Sequence, residues 1–164
     1  MIGVAVMGYG VVGSGVVELI DQNNKIFSEK IGQDIAVKHI LDVRDFPGNK
    51  YESLLTKDFN DILSDPETEI VCETIGGAKV AYDFTKRCLC AGKSVVTSNK
   101  ELVATHGTEL LALAKEHGVD YMFEAAVGGG IPIIRPLINC LAANRIDKIV
   151  GILNGTTNYI LTKM

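Results

Sequence analysis

Gly8, Gly10 and Gly13 stand directly behind the apolar run Ile2-Gly3-Val4-Ala5-Val6-Met7. That order reads as strand, glycine turn, then helix, which is what a dinucleotide pyrophosphate requires. The first glycine permits the tight turn, the second lets the backbone approach phosphate, and the third lets the helix pack on the strand. The amides of the first helical turn, Val11 and Val12 among them, then face the anion. Apolar residues at Val12, Val16, Leu19 and Ile20 carry the helical period onward. A glycine-rich turn without a ligand is the plainer alternative.

Further residues of chemical interest fall where other strands are expected to end. Asp42, Arg44 and Asp45 crowd the end of the second strand. An acidic residue there holds a ribose 2′-hydroxyl, as in NAD, and a basic one accommodates the 2′-phosphate of NADP. Alternatively, Arg44 and Asp45 form an ordinary solvated pair. Thr74 closes the next strand and joins the expected cofactor set. Lys100 follows a strand and enters the first turn of a helix, where a cation meets the positive end of the helix dipole. It needs a compensating anion there, either a ligand or its neighbour Glu101. Glu124 precedes the glycines 128–130, whose carbonyls can turn toward a cation or simply build a turn. Gly155 and Thr156 open a helix whose amides and hydroxyl could receive a carboxylate, or Asn154 and Thr156 serve only as helix caps.

The elements that must position these groups alternate. Strands are expected at 2–7, 35–41, 70–74, 94–97 and 119–123, and helices at 13–29, 59–63, 79–91 and 99–117, the last interrupted near Gly107. Such alternation predicts an α/β fold, a Rossmann-like doubly wound parallel sheet. After Glu124 a glycine turn enters a helix with Pro132 near its start. A strand over 146–153 and a helix from Asn154 follow, running to Met164 without a stop signal. The expectation is a fragment: an NAD(P)-binding domain at 1–130 and, at 131–164, the beginning of a second α+β domain.

The 164 residues are 47% hydrophobic and 22% charged, with net charge −4 and no Trp. These values suit one globular unit and argue against nucleic acid, and no apolar run has membrane-spanning length. Without a leader-like start, the cytoplasm is the expected location. Cys72, Cys88, Cys90 and Cys140 show neither zinc spacing nor a disulfide framework, and read as small buried hydrophobes.

Three segments add specificity: Val95-Val96-Thr97-Ser98-Asn99-Lys100, Phe123 to Ile134, and Gly151-Ile152-Leu153-Asn154-Gly155-Thr156-Thr157-Asn158-Tyr159-Ile160-Leu161. Together with the glycine fingerprint they resemble the N-terminal part of homoserine dehydrogenase. The resemblance implies NAD(P)-dependent interconversion of L-homoserine and L-aspartate 4-semialdehyde by a homodimer or larger assembly. It implies that Gly8, Gly10, Val11, Val12, Gly13, Arg44, Thr74 and Lys100 hold the cofactor. Lys100 would also be the catalytic lysine between nicotinamide and substrate, while Gly155 and Thr156 would bind the amino-acid substrate. It further implies a monovalent cation such as Na+ on the main-chain oxygens of Glu124, Val127, Gly129 and Ile131. The family commonly has arginine where Arg44 stands, which tilts the expectation toward NADP or dual use. The family's second lysine and its substrate carboxylates have no counterpart in these 164 residues, so this piece is expected to bind cofactor but scarcely turn substrate over. Two other readings stay open. An aspartate-semialdehyde dehydrogenase-like enzyme needs a nucleophilic cysteine, and a non-catalytic NAD(P)-binding module needs only the fold and the glycine turn.

Overall fold

The computed structural model describes residues 1–151 and 155–164, the side chains of 155–158 excepted. Six parallel strands form one sheet: β1 (Ile2–Met7), β2 (Ile35–Leu41), β3 (Leu55–Thr56), β4 (Thr68–Glu73), β5 (Ser94–Thr97) and β6 (Tyr121–Met122), in the spatial order β3-β2-β1-β4-β5-β6. The chain leaves β1 toward β2 and β3, then returns across the sheet to β4. The reversal opens a crevice at the carboxyl ends of β1 and β4, where open α/β sheets take their ligands.

Helices cover both faces: α1 (Val11–Ile31) on one, and α2 (Phe59–Ser64), α3 (Lys79–Cys90) and α4 (Lys100–His117) on the other. β1 shows why both faces close. Val4 and Val6 pack with Tyr9, Val17, Ile20 and Ile40 under α1, whereas Ala5 and Met7 join Ile62, Leu89, Leu102 and Leu110 on the other side. A strand buried on both faces reads as a continuous apolar run, as β1 does. Burying each of these large side chains contributes on the order of 1.5–3 kcal/mol.

Register brings the strand ends level. Leu41 and Glu73 both lie opposite Met7, and Thr97 lies opposite Glu73. The residues that follow, Asp42, Gly8, Thr74 and Ser98, therefore share one rim.

Several sequence expectations need correction. α4 runs unbroken through Gly107, because Leu102, Leu110 and Ala114 pack the same helix into the core, which outweighs glycine's cost of about 1 kcal/mol in a helix. β3 was not expected; at two residues it is too short to carry a period. The helix expected after Pro132 is a short helical turn over 134–140, of π type over Pro136–Cys140. Residues 146–151 form no strand, since no neighbouring strand offers them hydrogen bonds, and Ile149 and Val150 are exposed. The rest of that expected strand, 152–153, and Asn154 lie outside the described residues. The closing helix is α5 (Gly155–Lys163). Among the described residues no helix is long and apolar enough to cross a membrane. Cys88 is buried and Cys72 partly so, but Cys90 and Cys140 are exposed, against the expectation of four buried thiols.

Candidate cofactor and active site

The glycine turn is built as its spacing demands. Gly8 has φ +95°, a backbone region that L side chains rarely adopt. A Cβ on Gly13 would lie 1.8 Å from the Gly8 carbonyl oxygen and 2.9 Å from Thr74 Oγ1, so the α1 helix can sit this close to β1 only with glycine there. Gly10 is different. Its φ is −84° and its Cβ would meet nothing within 4 Å. Neither strain nor packing requires glycine at that position, so the open space above it is where a ligand can approach the backbone. α1 starts at Gly10 with no side-chain cap and no acidic residue in its first turn. Among the described residues no side chain caps its first amides, which stand at the positive end of a 21-residue helix. Val11 is 92% exposed, an apolar side chain left beside those amides. The site therefore fits a pyrophosphate.

Thr74 fastens the turn from β4. Its hydroxyl donates to the carbonyls of Met7 (3.0 Å) and Gly8 (2.8 Å), and its amide donates to Met7 O at 2.8 Å. Its role in this structure is to tie β4 to the glycine turn.

At the end of β2, Asp42 accepts from the Tyr9 amide (2.7 Å), the Arg44 amide (2.9 Å), Arg44 Nε (2.9 Å) and Arg44 Nη2 (2.9 Å). Four donors fill the roughly four acceptor sites of one carboxylate. The Arg44 side chain, then the pull of burial overcome by the Arg44 and Tyr9 amides, leaves Asp42 well below the usual carboxylate range. Asp42 thus has no capacity left for a ribose hydroxyl. Arg44 also donates to Tyr9 O at 3.1 Å, its guanidinium lies 5.0 Å from the Phe46 ring centroid, and Nη1 is uncommitted among the described residues. The side chain is 58% exposed and lines a cleft of about 410 Å³ with Asp42, Phe46, Pro47, Thr56 and Lys57. The expected alternative pairing fails, because Arg44 binds Asp42 while Asp45 pairs with Lys57 at 2.6 Å. Lys57, a second cation of this cleft, escaped the sequence reading because nothing before the fold brings it to the end of β2.

Lys100 is the first residue of α4, directly after the N-cap Asn99, whose side chain accepts from the Leu102 amide at 3.1 Å. Lys100 is exposed and forms no ion pair or hydrogen bond among the described residues, and Glu101 does not neutralise it. Its ammonium remains available to a ligand at the rim.

Beneath that rim lies a carboxylate that the sequence reading passed over. Glu73, at the end of β4, is fully buried, accepts from the Ile75 amide (2.7 Å) and from the Thr97 hydroxyl, and sits near the unpartnered buried hydroxyl of Tyr121. Burial pushes its carboxyl above the ordinary range against the pull of Thr97, Ile75 and Asn99. The available signal was an acid directly behind the apolar run Ile70-Val71-Cys72.

The loop after β6 is a 3-10 turn over Glu124–Ala126 followed by the glycines, with Gly129 at φ +59°. The Glu124 carboxylate accepts from the amides of Ile133, Ile134 (2.8 Å) and Arg135 (2.8 Å), which caps the helical turn beyond and holds the carboxyl below its usual range. That side chain is thereby engaged, and Glu124 O also accepts from Val127 N at 3.2 Å. Any cation here would meet neutral carbonyl oxygens, a donor set suited to a singly charged hard ion. Gly155 opens α5, but the side chains of 155–158, including Thr156, lie outside what is described.

The chain that carries this site has relatives. The family model for the NAD-binding domain of homoserine dehydrogenase matches residues 8–124, and a second model, described as homoserine dehydrogenase, matches 132–164. The chain belongs to the homoserine dehydrogenase family. It is 44% identical to the homoserine dehydrogenase of Bacillus subtilis over 98% of this chain and 38% of that protein. It superposes on the crystal structure of a homoserine dehydrogenase from Thiobacillus denitrificans with a TM-score of 0.89 and 41% identity, covering 99% of this chain and 38% of the other. A hyperthermophilic archaeal homoserine dehydrogenase in complex with NADPH matches with a TM-score of 0.68 and 26% identity, over 83% of this chain and 47% of that one. The chain thus spans about two fifths of the length of the curated family members it matches.

Proposed function

We propose that this chain binds NADP(H), with NAD(H) as the weaker alternative, and contributes one side of a homoserine dehydrogenase active site completed by further residues of a longer protein. The observation that carries the cofactor preference is the saturation of Asp42 by Tyr9 and Arg44, which leaves a guanidinium rather than a carboxylate to meet the ribose 2′ position. Gly8, Gly10, Val11, Val12 and Gly13 cradle the pyrophosphate, Thr74 fixes the turn, and Arg44 with Lys57 takes the 2′-phosphate.

When bound, the nicotinamide supplies or accepts the hydride that interconverts L-aspartate 4-semialdehyde and L-homoserine. Lys100 stabilises the alkoxide that develops as the aldehyde is reduced, because an unpaired ammonium at the rim needs no rearrangement to meet that charge. Gly155 and Thr156 receive the substrate carboxylate at the start of α5. The carbonyls of Glu124, Val127, Gly129 and Ile131 hold a monovalent cation such as Na+. Residues 1–130 are the cofactor domain and 131–164 the opening of the substrate and dimerisation domain, a division consistent with model matches ending at 124 and beginning at 132. The same reading makes the longer protein a cytoplasmic homodimer or larger assembly. A thioester mechanism through Cys72 or Cys88 is disfavoured, since burial pushes the Cys72 thiol up to about 11 and Cys88 up to about 12, which leaves exposed Cys140 as the cysteine that alternative would need.

The test compares this chain with the longer protein. The chain alone is expected to bind NADPH and to reduce aspartate semialdehyde negligibly. In the longer protein, Lys100→Ala should lower kcat/KM about a hundredfold or more with NADPH affinity within about tenfold, as expected of a group serving the transition state. Robust turnover by the chain alone would overturn the shared site, and near-normal activity of the Lys100→Ala protein would remove Lys100 from it.

A further inference from the structure

Glu73 is an ionisable group placed where nothing in its own strand requires one. Dry surroundings penalise a carboxylate, and an apolar residue would fill the position at less cost. Its contacts form a closed circuit across two strand ends. One carboxylate oxygen accepts from the Ile75 amide in the loop after β4, and the other from the Thr97 hydroxyl at the end of β5. Thr97 Oγ1 in turn accepts from the Asn99 amide at 2.9 Å. The Asn99 side chain returns to the first loop, donating to Ile75 O at 3.1 Å and Gly77 O at 2.8 Å, while its Oδ1 caps α4 through Leu102 N. The next residue is Lys100. On the other side, Thr74, adjacent to Glu73, is bonded to Met7 and Gly8. Glu73, the last residue of β4, and Thr74 just beyond it thus couple the glycine turn to the helix that starts with Lys100.

We propose that Glu73 is a positioning residue for the reaction: through Thr97 and Asn99 it sets the first turn of α4, and with it Lys100, against the cofactor crevice. This rests on the function proposed above for Lys100. The hydrogen bonds from Ile75 and Thr97 aim both carboxylate oxygens, so the circuit has one arrangement and the lysine one origin. A lysine displaced by about 1 Å from the developing alkoxide loses rate on the order of a hundredfold while cofactor binding, which depends on other atoms, is spared.

The experiment uses the longer protein with Glu73→Gln, Thr97→Val, Thr97→Ser and the Glu73→Gln/Thr97→Val double variant. NADPH binding is followed by its fluorescence, and kcat and KM are measured for aspartate semialdehyde. Glu73→Gln and Thr97→Val should each lower kcat about tenfold or more, with NADPH affinity within about threefold of wild type. Thr97→Ser, which keeps the hydroxyl, should retain most of the rate. The double variant should be little slower than the slower single, because both changes open the same circuit. Wild-type kcat in Glu73→Gln and Thr97→Val, or losses that multiply in the double variant, would overturn the proposal. Should Glu73→Gln fail to fold, the contrast between Thr97→Val and Thr97→Ser decides it. Should the wild-type protein not reduce aspartate semialdehyde, the function proposed above fails. Glu73 is then judged by hydrogen exchange at residues 97–103 with NADPH bound: faster exchange confined to that segment in Glu73→Gln upholds its positioning role, and unchanged exchange refutes it.

Discussion

The Gly8 carbonyl oxygen and the space for a Cβ on Gly13 are 1.8 Å apart, so the strand and helix that cradle the pyrophosphate touch through backbone alone. Gly10, between them, has open space instead. The two glycines should therefore fail differently. Gly13→Ala should destabilise the fold by about 1–3 kcal/mol or more through overpacking. Gly10→Ala should change stability by no more than about 1 kcal/mol, the scale of an N-cap substitution. Gly10→Val should abolish NADPH binding while the chain stays folded. Denaturant midpoints and calorimetric titration separate these outcomes, and unchanged NADPH affinity in Gly10→Val would place the pyrophosphate elsewhere.

Asp42 and Arg44 act as one unit in cofactor choice. Removing the guanidinium deletes charge-assisted hydrogen bonds to the 2′-phosphate and returns acceptor capacity to Asp42. Arg44→Ala should weaken NADPH by roughly ten- to a hundredfold, the equivalent of about 1.5–3 kcal/mol, while NADH changes little or gains. Affinities for both coenzymes at one ionic strength check this, since salt screens exposed charge. Equal losses for the two would deny Arg44 a part in discrimination.

Glu73 and Asp42 flank β1 at its carboxyl end and shift in opposite directions, which gives opposite pH signatures. Burial raises Glu73, so the native state holds its proton more tightly than the unfolded chain, whose glutamates titrate near ~4.3. Its effect is most favourable below that value and is lost as pH rises through the raised native value. Arg44 and the nearby amides lower Asp42, so its contribution is present above about 3.9 and is lost as pH falls toward the depressed native value. Urea midpoints from pH 3 to 8 should show Glu73→Gln gaining stability relative to wild type as pH rises. Asp42→Asn should lose its penalty relative to wild type as pH falls. Parallel pH curves for wild type and Glu73→Gln would show that Glu73 titrates alike in the folded and unfolded states.

By itself the sequence determined the parts of this protein that are local. The glycine turn, the helix start at Asn99, and the strands from Ile2, Ile35 and Ser94 follow from residue type and period, because strand-to-helix turns and apolar faces are decided within a few positions along the chain; the first helix, expected from Gly13, begins already at Val11. The resemblance to homoserine dehydrogenase was legible for the same reason, being carried by short segments around Lys100, Glu124 and Gly155. Tertiary structure decided the partners that charged groups took from elsewhere in the chain. Asp42 gained the Tyr9 amide beside its local partner Arg44, Lys57 reached Asp45 and the same cleft from the end of β3, and Glu124 spent its side chain on the amides of Ile133 to Arg135. Glu73 acquired its meaning only when β4 came to lie between β1 and β5, placing Thr97 opposite it. The Tyr9 bond to Asp42 and the Thr97 bond to Glu73 close only when segments 33 and 24 residues apart come within a few ångströms of each other. No local period encodes such distances, whereas the order and register of six parallel strands do.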